Sequence, residues 1–97
     1  MQITLTESAV RDLEDIRDWY TEQGAADVGG RLVSEILQQV EGLDTHSEKG
    51  RIVPEFGQLF LRELIHPPFR IVYRIDAQTI RVVRVWRSER LFRFPPD

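Results

Sequence analysis

Phe69-Arg-Ile-Val-Tyr-Arg-Ile-Asp76 and Thr79-Ile-Arg-Val-Val-Arg-Val-Trp-Arg87 are two β-branched stretches with arginines at regular intervals. Val, Ile and Tyr suit a pleated, half-buried surface, and the alternation in both stretches predicts two strands. Asp76-Ala77-Gln78 joins them as a hairpin, without the Asn-Gly of a two-residue loop. On the first strand Phe69, Ile71, Tyr73 and Ile75 share one face, and Arg70, Val72 and Arg74 the other. On the second, strict alternation puts Ile80, Val82 and Trp86 with Arg84, and Val83 and Val85 with Arg81 and Arg87. Both faces of the last strand are then part apolar. This predicts a central or covered strand, with a concave arginine-lined sheet face turned away from the helices.

Upstream, Pro67-Pro68 marks a tight corner after a strand at Leu59–Ile65. Arg51-Ile-Val-Pro-Glu-Phe-Gly57 reads as extended or turn-like, because Pro54 lacks a donor and biases Val53 away from helix. Asp44–Gly50 is a polar loop. Before it, Val28, Leu32, Ile36, Val40 and Leu43 recur at helical spacing from a start near Ala26 or Asp27. Gly29 and Gly30 each cost that helix about 1 kcal/mol relative to alanine, which predicts close approach to another helix. An earlier helix carries Ala9, Leu13, Ile16 and Tyr20 inward, with Val10 and Trp19 widening the stripe. Its other face holds Arg11, Asp12, Glu14, Asp15, Arg17, Asp18 and Glu22. Thr6 or Ser8 can cap its start, and Gly24 its end. Gln2–Thr6 alternates as a short first strand. Pro95-Pro96 ends the ordered part, and residues 91–97 are expected to form a flexible tail. The fold class expected is α+β: one domain over residues 1–97 in the order β-α-α-β-β-β, a helical hairpin on a mostly antiparallel four-stranded sheet.

Composition bounds the chemistry. A hydrophobic content of 41% beside 30% charged residues belongs to a globular chain with one core. There is no cysteine, so disulfides and thiolate metal sites are excluded. The N-terminus has neither the basic nor the apolar region of a signal peptide, and no stretch approaches a membrane span, so a cytoplasmic protein is expected. Net charge is −3, unevenly placed: residues 1–50 hold four basic and eleven acidic side chains, and residues 51–97 nine and five. The C-terminal excess is all arginine, whose planar fork suits carboxylate and phosphate contacts. Those arginines also have an internal alternative, pairing with Glu55, Glu63 and Glu89 on a solvated strand face.

No catalytic residue, metal or cofactor is expected. His46 and His66 lie twenty apart without a ligand pattern, and Ser34, Ser47 and Ser88 lack a nucleophile-elbow context. Gly29-Gly30 lies inside a helix and does not form a phosphate-cradling loop. Carboxylates on the first helix are spaced for solvation. Trp19 reads as core or rim, with a partner groove as the alternative, and Trp86 as a core anchor.

The β-α-α-β-β-β order, Gly50-Arg-Ile-Val-Pro-Glu-Phe-Gly57, Arg62-Glu-Leu, Phe69-Arg-Ile-Val-Tyr-Arg74 and Val83-Val-Arg-Val-Trp-Arg-Ser-Glu-Arg90 together resemble the RelE/ParE superfamily of toxins from bacterial type II toxin–antitoxin (plasmid-stabilisation) modules. The resemblance spans nearly the whole chain. It implies one of two activities: RelE-like cleavage of mRNA in the ribosomal A site, or ParE-like poisoning of DNA gyrase. Of the ribonuclease set, Arg70 matches the strand arginine. The last-strand arginine falls on Ser88, the C-terminal tyrosine on Phe94, and the expected lysines on Leu61 and Glu63. Phenylalanine cannot move a proton and Glu63 repels phosphate, so the resemblance implies the ParE side. It further implies a cognate antitoxin in a toxin–antitoxin hetero-oligomer, DNA gyrase as target, and no sequence-specific nucleic-acid binding. The target-binding residues expected are Arg70, Arg84, Arg87, Arg90, Phe92, Arg93 and Phe94. For the antitoxin they are Leu13, Ile16, Trp19 and Arg74. The alternatives are a ribosome-dependent endoribonuclease, with Arg70, Arg87, Arg90 and a proton-moving His66, and a non-toxic interaction domain on the same fold.

Overall fold

The computed structural model describes residues 1–88, so the expected tail at 91–97 lies outside the described residues. Strand β1 (Gln2–Leu5) leads into helix α1 (Glu7–Glu22) through Thr6. Thr6 Oγ1 accepts the Ala9 N–H at 3.1 Å, capping α1, and donates to the Val83 carbonyl at 3.0 Å, fixing the helix start on the sheet. Gly24, at φ 77°, occupies the left-handed region just past the helix end, where a side chain would strain the turn. Helix α2 (Ala26–Glu41) returns antiparallel to α1, and a 3-10 turn at Gly42–Asp44 follows.

Strands β2 (Arg51–Ile52), β3 (Leu61–His66), β4 (Phe69–Ile75) and β5 (Thr79–Arg87) complete the fold. The sheet order is β1-β5-β4-β3-β2, with β1 parallel to β5 and the other pairings antiparallel. The sequence predicts four strands. The fifth, β2, is a two-residue pairing too short for alternation to reveal. Among the described residues no helix is long and apolar enough to cross a membrane.

One core lies between the helices and the sheet. Ala9, Leu13 and Ile16 of α1 and Leu32, Ile36 and Val40 of α2 meet Leu64, Phe69, Ile71, Tyr73, Ile80, Val82 and Val85. Ile36, Ile71, Tyr73 and Ile80 have no exposed surface; burying an aliphatic side chain of this size contributes about 1.5–3 kcal/mol. Tyr73 keeps its hydroxyl satisfied inside: it donates to Ser47 O at 2.7 Å and accepts the Gly50 N–H at 2.9 Å. Burial raises its pKa above the usual tyrosine range, against smaller lowering contributions from the Gly50 N–H and Arg62.

The register slips between Val72↔Arg84 and Tyr73↔Val82, leaving Val83 as an extra residue on β5. This bulge resets the alternation. Val85 joins Ile80 and Val82 beneath the helices, while Trp86 packs with Val83 against Val53, Leu61, Val72 and Phe56 on the opposite face. Trp86 therefore does not share a face with Ile80 and Val82 as strict alternation predicts, because period 2 does not register an inserted residue. Val53 and Phe56, from the segment between β2 and β3, cover Leu61 and Val72, so the arginine-bearing face is partly closed.

Candidate functional site

Strand β1 stops at Leu5↔Val82, so from Arg84 onward the outer edge of β5 has no strand beside it among the described residues. Asp12 of α1 fills the first place on that edge. Its Oδ2 accepts the Val85 backbone N–H at 2.9 Å and Arg84 Nε at 2.8 Å, and its Oδ1 accepts an Arg84 Nη at 2.9 Å. A carboxylate bound by a guanidinium fork and a backbone donor is a charge-assisted cluster, stronger than neutral hydrogen bonds. Arg84 also lies 4.3 Å from the Trp86 ring centroid, so its planar head bridges Asp12 and an aromatic face.

Beside this cluster runs a groove of about 560 Å³ between α1 and the end of β5. Its walls are Ile16, Trp19 and Tyr20 from the helix, and Phe69, Val85 and Trp86 from the sheet, with Asp12, Asp15, Arg84 and Arg87 as polar members. Trp19 is half exposed at 50% and meets Tyr20 edge-on, ring centroids 4.9 Å apart. Amphipathic aromatics around a cleft beside an open strand edge suit a protein segment that adds main-chain pairing and inserts apolar side chains.

A second charged assembly lies on the opposite sheet face. Arg70 is buried, and its guanidinium meets both carboxylate oxygens of Glu55 at 2.9 and 3.1 Å. Its Nε donates to Glu63 Oε1 at 2.7 Å, and a second nitrogen also pairs with that oxygen. Glu63 has no exposed side-chain surface and takes Arg51 on its other oxygen at 2.6 Å. Hydrogen bonding to Glu55, opposed by burial and helped by Glu63, raises the Arg70 pKa further. Removing one partner of a buried pair typically costs about 3–5 kcal/mol, since the other charge remains.

The expected site residues therefore separate. Arg70 is built into this internal network. Arg84 is half-buried and held by Asp12. Arg87 is exposed at the end of β5, with its guanidinium 5.8 Å from the Phe69 ring centroid. Arg90, Phe92, Arg93 and Phe94 lie outside the described residues. Of the four expected antitoxin contacts, Leu13 is core, and Ile16, buried, and Trp19, half exposed, both line the groove. Arg74 is not with them. It lies on the other face of the sheet, five residues along β4 from Phe69, or about 17 Å at the strand rise.

Asp12, expected on the solvated side of α1, instead belongs to the groove. Helical spacing does contain a signal, since Asp12, Ile16 and Trp19 fall on one face at i, i+4 and i+7. The bond from Asp12 to Val85 joins positions seventy-three apart, and nothing local announces it. His66, considered as a proton-transfer group, instead ties the sheet to α2. It bonds Glu35 at 2.9 Å and contacts Gln39, and the Glu35 bond lowers that carboxyl's pKa.

The profile of the family described as ParE toxin of type II toxin–antitoxin system, parDE, matches residues 3–92. Among solved structures, a chain from the chromosomal ParDE toxin–antitoxin system of P. aeruginosa is 26% identical. That match has a TM-score of 0.77 and covers 92% of this chain and 97% of the other. A chain from the RelBE2 toxin–antitoxin complex of Mycobacterium tuberculosis is 18% identical at a TM-score of 0.63, covering 90% of this chain and 96% of that one; the likeness is one of fold. No curated protein matches the sequence.

Proposed function

We propose that this chain, which belongs to the family of ParE toxins of type II toxin–antitoxin systems, arrests growth by binding DNA gyrase and is neutralised by a cognate antitoxin seated in the α1–β5 groove. The observation that carries the binding reading over a ribonuclease is the state of Arg70. A cation that stabilises a phosphorane must face the substrate. Arg70 instead faces Glu55 and Glu63, the expected lysine positions Leu61 and Glu63 bring no positive charge, and the Glu63 carboxylate is itself held by Arg51 and Arg70. The gyrase contact is assigned to the basic end of the chain, Arg87 with Arg90, Phe92, Arg93 and Phe94. The antitoxin contact is assigned to Ile16, Trp19, Tyr20, Phe69 and Trp86. An extended antitoxin segment would pair along the β5 edge, and its carboxylates would meet Arg84 and Arg87.

Supercoiling and DNA-cleavage assays with purified gyrase test this reading. Inhibition with accumulation of cleaved DNA is expected at micromolar protein; no inhibition there removes gyrase as the target. Mapping the 5′ ends of cellular mRNA after induction is the companion measurement. Codon-phased cuts would transfer the protein to the ribonuclease side.

A further inference from the structure

Arg74 on β4 and Arg81 on β5 are register partners, and both point to the sheet face away from the helices. Like charges directly opposite on neighbouring strands, with Cβ atoms about 4.5–5.5 Å apart, destabilise a sheet. Arg74 is partly answered by Asp76 at 3.0 Å and by the Phe60 ring, 5.5 Å from its guanidinium. Its side chain nevertheless remains 56% exposed. Arg81 is exposed and makes no hydrogen bond or ion pair among the described residues. On its other side, in the same row, stands Thr4, its register partner on β1. The Thr4 hydroxyl oxygen is buried and has no hydrogen-bond partner. On the other side of Arg74 the row ends at its buried register partner Leu61, and the Phe60 ring that faces the Arg74 guanidinium is 46% exposed. Two facing cations and the exposed edge of Phe60 thus occupy one surface, with the unpartnered Thr4 hydroxyl buried at its border.

We infer that this row is a docking surface for an acidic protein segment, with a carboxylate seated between Arg74 and Arg81 and an adjacent apolar side chain against Phe60. A carboxylate removes the repulsion between the two arginines and offers bidentate acceptors to their planar forks. Protein is favoured over nucleic acid on charge and on polarity. The chain carries −3 overall, −7 on residues 1–50 against +4 on residues 51–97, while a duplex brings one negative charge per about 1.7 Å of axis. The exposed ring of Phe60, moreover, asks for an apolar partner. The surface lies across the sheet from the α1–β5 groove, and it does not depend on gyrase being the target.

The test is an NMR titration of the purified, isotope-labelled full chain at low salt, with three probes: a blocked synthetic octapeptide of alternating Glu and Leu, free glutamate, and a short DNA duplex. The peptide is expected to shift the Arg74 and Arg81 Nε–H signals and the Thr4 amide saturably, with free glutamate and DNA moving them far less. Arg81→Glu is expected to weaken the peptide at least about tenfold, whereas Arg81→Lys keeps most of the binding. Phe60→Ser is expected to weaken the peptide without changing the response to glutamate. Circular dichroism confirms the fold of each variant, and Arg81→Gln serves if charge reversal disturbs it. Peptide binding unchanged by both Arg81→Glu and Arg81→Gln overturns the proposal. So do equal responses to glutamate and peptide, or duplex DNA saturating the same signals more tightly.

Discussion

Tyr73 shows how much one side chain holds. Its ring fills the core beside Ile71 and Ile80, and its hydroxyl ties down the loop at Ser47 and the backbone at Gly50. Gly50 is needed there, because a Cβ would come within 2.6 Å of the Glu63 carbonyl and 2.7 Å of the Tyr73 hydroxyl. Tyr73→Phe keeps the ring but leaves the Gly50 N–H and the Ser47 carbonyl without their partner. The expected cost is about 1–3 kcal/mol, read from urea denaturation at neutral pH. A second signature distinguishes this cost from simple repacking. Burial raises the folded-state pKa of Tyr73, so its contribution is fully present below the unfolded value of about 10 and is lost as pH rises through the folded pKa. Wild-type stability should therefore fall on the alkaline side more steeply than that of Tyr73→Phe. Parallel alkaline limbs for the two proteins would show that the hydroxyl is not the group that titrates.

At the scale of elements, the two adjacent glycines of α2 separate cleanly. The sequence predicts close helix approach from both; the structure assigns it to Gly29 alone. A Cβ at Gly29 would sit 2.8 Å from Tyr20 Cβ, whereas one at Gly30 would meet nothing within 4 Å. Gly30→Ala should therefore stabilise by about 0.5–1 kcal/mol through helix propensity. Gly29→Ala gains the same propensity but must push α1 and α2 apart at a contact that no rotamer change relieves, so a net loss of about 1–2 kcal/mol is expected. For a domain of this size the variants should melt on opposite sides of wild type, each kcal/mol moving the midpoint by about 4–8 °C. The same contrast explains what the sequence could disclose. Helix spans, the β4–β5 hairpin and the Pro67-Pro68 corner are local signals, and each was legible. The bulge at Val83, the two-residue β2 and the bond from Asp12 to Val85 depend on what lies across the fold, so no window of sequence contains them. Arg70 belongs with these. Its type and spacing announced an anion contact, but only the folded chain shows that the anions are its own Glu55 and Glu63.

For the molecule as a whole, the charge asymmetry of the sequence is partly consumed inside. Arg70 and Arg84 answer internal carboxylates, which leaves the end of β5, with Arg87 exposed, as the basic exit toward residues 89–97. The groove walled by Trp19 borders that same end, so an antitoxin lying in it would stand beside the surface assigned to the target. Two variants should separate the roles. Trp19→Glu places a charge on a half-exposed wall, so the fold should hold. It also removes a central aromatic anchor, and such anchors typically contribute 2 kcal/mol or more to binding. Affinity for the antitoxin, measured by calorimetry, should fall by about thirtyfold or more, while growth arrest in its absence persists. Arg90→Glu should do the reverse, losing growth arrest while antitoxin affinity stays close to wild type. If Trp19→Glu binds the antitoxin normally, the groove is not its seat. If Arg90→Glu remains fully toxic, the effector surface lies elsewhere on the chain. A variant that loses both properties while still folded would mean that target and antitoxin compete for one overlapping surface, making neutralisation a matter of direct occlusion.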